Sequence, residues 1–320
     1  MDLTNQSSPS RLPTSPAPPA SEPASVPLAR DGFFLWVVLG LLWTQFCWSC
    51  AHAWRYGDYY EYGWFVPPLA AWFFYRRLAW APKHAAWVCP MPALVLQIAL
   101  ALVLLVTRTL WYLDPAWRLP LWGHALTLAL ATHILLAQYA GWRYSRHFIP
   151  VTLFALTCAP YPSVLEAALV THLTQVVVIL SQELFNLAGM PVLARGVMLE
   201  LGGRVAEVAE GCSGMRSFQS FLMAAVFFGE LYTLRLGARL LLIAAGLAFA
   251  IAVNTGRAMT LANIVFDSGA PAAEAVHGKV GTAAFLITAT LFFVLAEFLR
   301  ARHDSRGRRR VVRSVTLHKT

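Results

Sequence analysis

Apolar runs of about 20 residues, the length of helix that crosses a bilayer, recur along most of this 320-residue chain. Hydrophobic residues make up 58% of it and charged residues only 13%, whereas soluble domains carry about 25% charged residues. Lipid offers no partners to backbone N–H and C=O groups, and a helix satisfies them internally. The composition therefore predicts an all-α polytopic membrane protein. Helices consume most of the length, so no separate soluble domain fits.

Nine segments are candidates for these helices: Phe33–Ala53, Tyr62–Tyr75, Met91–Thr107, Leu121–Ala140, Phe148–Pro160, Val164–Leu187, Met215–Tyr232, Leu240–Val253 and Val280–Leu299. Three regions follow from them. Residues 1–31 are rich in Pro, Ser and Ala and read as a disordered cytoplasmic arm. Residues 32–299 form the transmembrane domain, and residues 300–320 a basic cytoplasmic tail. Ala51-His52-Ala53 is similar to a signal-peptidase site, but the apolar stretch before it is long for a cleaved leader. An uncleaved first helix is the better reading.

The net charge of +9 does not point to nucleic acid. Much of it sits in the tail, at Arg300, Arg302, Arg306, Arg308, Arg309, Arg310, Arg313 and Lys319. That tail lacks the interleaved aromatic residues on which bases stack. It reads as a topology signal drawn to anionic membrane lipid.

Basic loops orient the helices. Arg11 and Arg30 place the N-terminus inside, as do Arg76, Arg77 and Lys83 for the second loop and Arg143 and Arg146 for the fourth. Arg235, Arg239 and the tail are also inside. These signals agree only if Val164–Leu187 does not cross. Its Glu166, His172, Gln175, Gln182 and Glu183 suit a segment that lies along the outer interface or dips in and returns. The expectation is eight transmembrane helices, one interfacial or re-entrant segment, and Pro160–Gly214 wholly outside. Within that stretch Val197–Leu201 and Arg204–Val208 alternate around Gly202-Gly203, which predicts an extracytoplasmic β-hairpin.

Three residues then fall at the outer face. Cys212 lies just before the apolar run that starts at Met215. The unpaired amides and positive dipole end of a helix N-terminus favour thiolate. Ser213 is placed to cap that helix, and Gly211 and Gly214 leave room for a substrate backbone. Arg257 ends an apolar helix, with Asn254 one turn earlier where it can orient the guanidinium. His277 precedes the last helix, and an imidazole carries a proton either way near neutral pH. A thiol, an imidazole and a fixed cation are the parts of a cysteine acyl-transfer site.

The same residues carry a family resemblance. Val208-Ala209-Glu210-Gly211-Cys212-Ser213-Gly214-Met215-Arg216-Ser217, the Asn254-x-x-Arg257 pair and His277-x-x-x-Gly281 resemble the exosortase/archaeosortase family of membrane cysteine transpeptidases. Tyr62-Gly63-Trp64-Phe65-Val66-Pro67-Pro68, ending at Arg76-Arg77, and Gly189-Met190-Pro191-Val192 are also similar to its pattern. The resemblance implies Cys212 as nucleophile, His277 as acid/base and Arg257 as transition-state stabiliser, with Ser213, Gly214 and Asn254 in support. It implies exported proteins with a C-terminal sorting tail as substrates: a short motif often Pro-Glu-Pro, a transmembrane helix and a basic cluster. It further implies a bacterial inner membrane, an extracytoplasmic site, and no cofactor.

Other polar residues invite competing readings. Cys47 and Cys50 have Cys-x-x-Cys spacing, but they sit inside the first apolar helix and read as packing, as do Cys89 and Cys158. His124, His133 and His172 lack recognised metal-ligand spacing, so no metal is expected. Glu207 and Glu210 read as solvated, with Glu210 also close enough in sequence to tune the thiol or to contact a basic substrate residue. A transporter, or an export component of a polysaccharide or lipid-linked pathway, is the alternative. It predicts paired broken helices and internal symmetry, and the sequence displays neither.

Overall fold

The computed structural model describes residues 30–82, 91–208 and 213–317. The N-terminal arm, Cys89, Glu210, Gly211 and Cys212 lie outside the described residues, as do the side chains of the tail beyond His303. Ten helices and one small sheet are described: α1 (Arg30–Tyr56), α2 (Val66–Leu78), α3 (Met91–Leu113), α4 (Arg118–Ala140), α5 (Trp142–His147), α6 (Ile149–Leu156), α7 (Ser163–Leu187), β1 (Leu193–Arg195), β2 (Met198–Leu201), β3 (Arg204–Glu207), α8 (Met215–Leu231), α9 (Leu236–Ser268) and α10 (Ala270–Leu317). A 3-10 turn, Glu61–Phe65, leads into α2.

Six helices are long and apolar enough to cross a membrane, rather than the eight expected: α1, α3, α4, α7, α9 and α10. Three expected crossings are shorter. The run Tyr62–Tyr75 divides into the 3-10 turn and the 13-residue α2, with Pro67 and Pro68 in its first turn. Proline there loses only an amide that a helix start leaves unpaired. The run Phe148–Pro160 yields the 8-residue α6, and α8 has 17 residues.

Of the two forms expected of α7, it does not take the dip and return: it is one unbroken helix of 25 residues. Several of its polar side chains meet partners remote in sequence. Glu166 accepts from Tyr60 and Arg118. Gln182 Oε1 accepts from the Ala194 amide at 2.6 Å, and Asn186 Oδ1 from that of Val192 at 3.0 Å.

The expected hairpin is present, one residue shorter at each outer end. Leu201 pairs with Arg204 and Met198 with Glu207 around Gly202 and Gly203. Both glycines have positive φ, at 56° and 81°, as a two-residue type I′ turn requires. The sequence reading missed β1, which pairs antiparallel with β2 and completes a three-stranded sheet.

Buried apolar side chains form three clusters. The largest is aromatic-rich and joins α1, α2, α4, α5 and α6 through Phe46, Trp54, Phe73, Leu128, Tyr144, Phe148 and Phe154. Gly63 permits one of its closest approaches. A Cβ there would lie 2.3 Å from the indole of Trp54, whose Nε1 donates to the Cys158 carbonyl at 2.8 Å. A second cluster joins α8 to the first half of α9 and to α10 through Phe221, Leu242 and Phe292. The third packs α7 and the sheet onto the second half of α9, through Phe185, Leu199, Ala206 and Phe266. At 33 residues α9 is about 50 Å long, against a hydrocarbon core of about 30 Å.

Outward-facing residues of α3 include Val95, Ile98, Leu102, Leu105 and Val106, all exposed. An apolar surface of this extent suits lipid. The histidines of α4 serve as interhelical hydrogen-bond partners. His124 contacts Thr107 and Gln45 at 3.2 Å each, and His133 contacts Ser145 at 3.1 Å. Cys47, Cys50 and Cys158 are unlinked thiols within or against the aromatic cluster.

Candidate active site

Both Arg257 and His277 are positioned by the helical hairpin of α9 and α10, which turns at Gly269. Neither lies at a helix end, as the sequence suggested. Arg257 is the 22nd residue of α9 and His277 the eighth of α10. The polar tetrad Asn254-Thr255-Gly256-Arg257 resembles a terminus, but apolar packing resumes with Ala258, Leu261, Ala262 and Phe266. The helix therefore continues through it.

Arg257 Nη2 donates to His277 Nε2 at 2.8 Å. A guanidinium has no acceptor atom, so the imidazole nitrogen supplies the lone pair. Its proton then sits on Nδ1. Gly281 is one turn further along α10. A Cβ at that position would lie 3.3 Å from Arg257 Nη2 and 3.4 Å from Cζ. The His-x-x-x-Gly spacing thus has a physical sense: the histidine bonds the guanidinium and the glycine leaves space for it.

Opposite this pair is the start of α8. Its N-cap is Gly214, not Ser213, with φ +83° and no side-chain cap. That left-handed conformation strains any residue with a Cβ. Ser213 is buried, and its Oγ accepts from the Met215 amide at 3.2 Å. Asn254 packs directly against this turn. A Cβ on Gly214 would lie 3.6 Å from Asn254 Cβ and 3.7 Å from Cγ.

Gly214, Asn254, Arg257 and His277 line one cavity of about 940 Å³. Its other wall was only partly foreseen. Tyr62 and Phe65 belong to a stretch already noted, but Asp58 and Glu61 were not singled out. Arg216 joins the two walls. Its Nε donates to the Asp58 carbonyl at 2.9 Å, and its Nη1 lies 4.0 Å from Glu61. The signal for this wall was the acidic and aromatic crowding of Asp58-Tyr59-Tyr60-Glu61-Tyr62 straight after α1. Tyr60 anchors that segment, donating to Glu166 and accepting from the Tyr161 amide at 2.9 Å. Burial, and then the Glu166 carboxylate, push its phenol well above the ordinary tyrosine range. Among the described residues no three His, Cys, Asp or Glu side chains gather around a point that could hold a metal ion.

The architecture is that of a helical membrane protein with several apolar spans and a polar cavity among them. The family model for transmembrane exosortases matches residues 54–294, three quarters of the chain. The chain belongs to that family. The matched region takes in every residue named at the cavity. No curated protein and no solved structure matches the chain.

Proposed function

We propose that the chain is a membrane-embedded cysteine protease or transpeptidase that cleaves the C-terminal sorting tails of exported proteins. One observation carries the reading: an imidazole held by a guanidinium at 2.8 Å, in a cavity bounded by the turn that starts α8. Cys212 precedes Gly214 by two residues, so covalent geometry limits their Cα separation to roughly 7 Å. Family membership supports the same chemistry.

The imidazole turns Nε2 from Arg257 to the Cys212 thiol and takes its proton, and the thiolate attacks the scissile carbonyl. A protonated Nε2 no longer accepts from Arg257. The guanidinium then faces the oxyanion as it forms. When the tetrahedral adduct collapses, the C–N bond breaks and the leaving amine takes the proton from Nε2. A thioester on Cys212 remains, and an amine or water resolves it.

The site is assigned to the extracytoplasmic side of a bacterial inner membrane, with both termini cytoplasmic. The third apolar cluster supports this. α7 and the sheet pack on the last third of α9, from Ala258 on, which leaves about 20 residues of α9 to cross the bilayer.

The test is co-expression with a substrate bearing a motif, a transmembrane helix and a basic cluster. The wild type yields a shortened product, and Cys212→Ala leaves the substrate at full length. Unchanged processing by Cys212→Ala would refute the assignment.

A further inference from the structure

We infer that Asn254 is a catalytic residue in its own right, whose side-chain amide donates a hydrogen bond to the carbonyl oxygen under attack. The inference rests on the proposed acyl-transfer reaction and extends it. It also replaces the role expected from sequence, in which Asn254 only orients Arg257.

Asn254 is 7% exposed and lines the cavity. Its Nδ2 is sealed from solvent and has no hydrogen-bond partner among the described residues. Leaving a buried donor unpaired costs about 1–3 kcal/mol. A structural asparagine on an apolar helix would avoid that cost by bonding a backbone carbonyl. Thr255, the next residue, does so by donating to the Ile251 carbonyl at 2.9 Å. Asn254 instead presents an unused donor at the place where a substrate would enter. Its terminal torsion is soft, so a small rotation turns the amide toward a bound carbonyl.

The surroundings fit an oxygen that gains negative charge. Asn254 lies against Gly214 at the N-terminus of α8, where Ser213 Oγ takes the Met215 amide. The amides that follow and the positive dipole end of α8 are close by. Arg257 is three residues further along α9 and lines the same cavity. Amide, helix terminus and guanidinium present partial or full positive charge to one region. Fixed donors of this kind act where charge develops in the transition state.

The experiment compares Asn254→Asp and Asn254→Ala in the full-length protein, with a tailed substrate and kcat and KM measured separately. Aspartate has nearly the same shape and would hold a guanidinium at least as well. It cannot donate, however, and it faces the oxyanion with a negative charge. Asn254→Asp is expected to lose about 100-fold or more in kcat, with KM within about twofold. Asn254→Ala is expected to lose a similar factor, with alkylation of Cys212, read by peptide mass, proceeding at the wild-type rate. Wild-type kcat in Asn254→Asp would overturn the inference and return the residue to an orienting role. Wild-type kcat in Asn254→Ala would overturn it as well. If the reaction itself is misassigned, Cys212→Ala still processes substrate. If only this inference fails, Cys212→Ala is inactive while Asn254→Asp works.

Discussion

The two ends of α8 hold two polar clusters that solve different problems with the same residue types. At its C-terminal end Glu230 is buried and takes two arginines: Arg77 Nε donates to it at 2.9 Å and Arg239 Nη1 at 3.2 Å. His147 closes that cluster by donating to the Arg77 carbonyl at 2.9 Å. At the N-terminal end, roughly 24 Å away along the helix, Arg257 donates to His277 beside an open cavity. The first cluster answers buried charge with charge and ties α2, α8 and α9 together. The second keeps an unpaired donor and free volume. Saturated pairing marks the structural cluster, and residual bonding capacity marks the one suited to chemistry.

Substitutions that exchange the expected consequences would break this contrast. The largest effect is expected from Arg257→Ala, which should lower turnover of a tailed substrate by about 100- to 1,000-fold, with the protein still inserted and folded. Its thermal unfolding in detergent should stay close to wild type. Arg77→Ala should do the reverse. Removing one partner of a buried ion pair costs about 3–5 kcal/mol, and the low end applies because Arg239 remains beside Glu230. Detergent unfolding should register the loss, while turnover per folded molecule stays near normal. A strong fall in turnover without a stability loss in Arg77→Ala would erase the distinction.

Two smaller changes sharpen it. Gly281→Ala puts a methyl group 3.3 Å from Arg257 Nη2. The guanidinium must shift by a few tenths of an ångström, and about a tenfold fall in kcat is expected, equivalent to about 1.4 kcal/mol. Tyr60→Phe removes the donor to Glu166 and the acceptor for the Tyr161 amide. Arg118 still holds Glu166, so about 1 kcal/mol of stability should be lost. The cavity wall should loosen, read as a higher KM more than a lower kcat.

Periodicity and turn chemistry made much of this fold legible in the sequence. The run lengths predicted a polytopic helical protein, and Gly202-Gly203 predicted the hairpin because two adjacent residues at positive φ leave few other options. Helix boundaries were harder to read. Asn254 and Arg257 broke the apolar run, and polarity in the middle of a long helix looks the same as polarity at its end. Only the cavity they face distinguishes the two cases. Likewise the polar residues of α7 suggested a dip because their partners, Arg118 and Ala194, are remote in sequence. β1 was too short to leave a pattern. At the site, the motif spacings linked Asn254, Arg257 and His277, but nothing local revealed that Gly281 seats a guanidinium.

Because Arg257 and His277 belong to neighbouring arms of one helical hairpin, their contact measures the alignment of those arms. Sliding α10 by a single residue along α9 would displace the imidazole by roughly 1.5 Å, enough to part it from the guanidinium. A cargo that wedges the arms apart, or a bilayer thickness that tilts one against the other, would therefore open that 2.8 Å contact and take the site apart without touching any of its side chains.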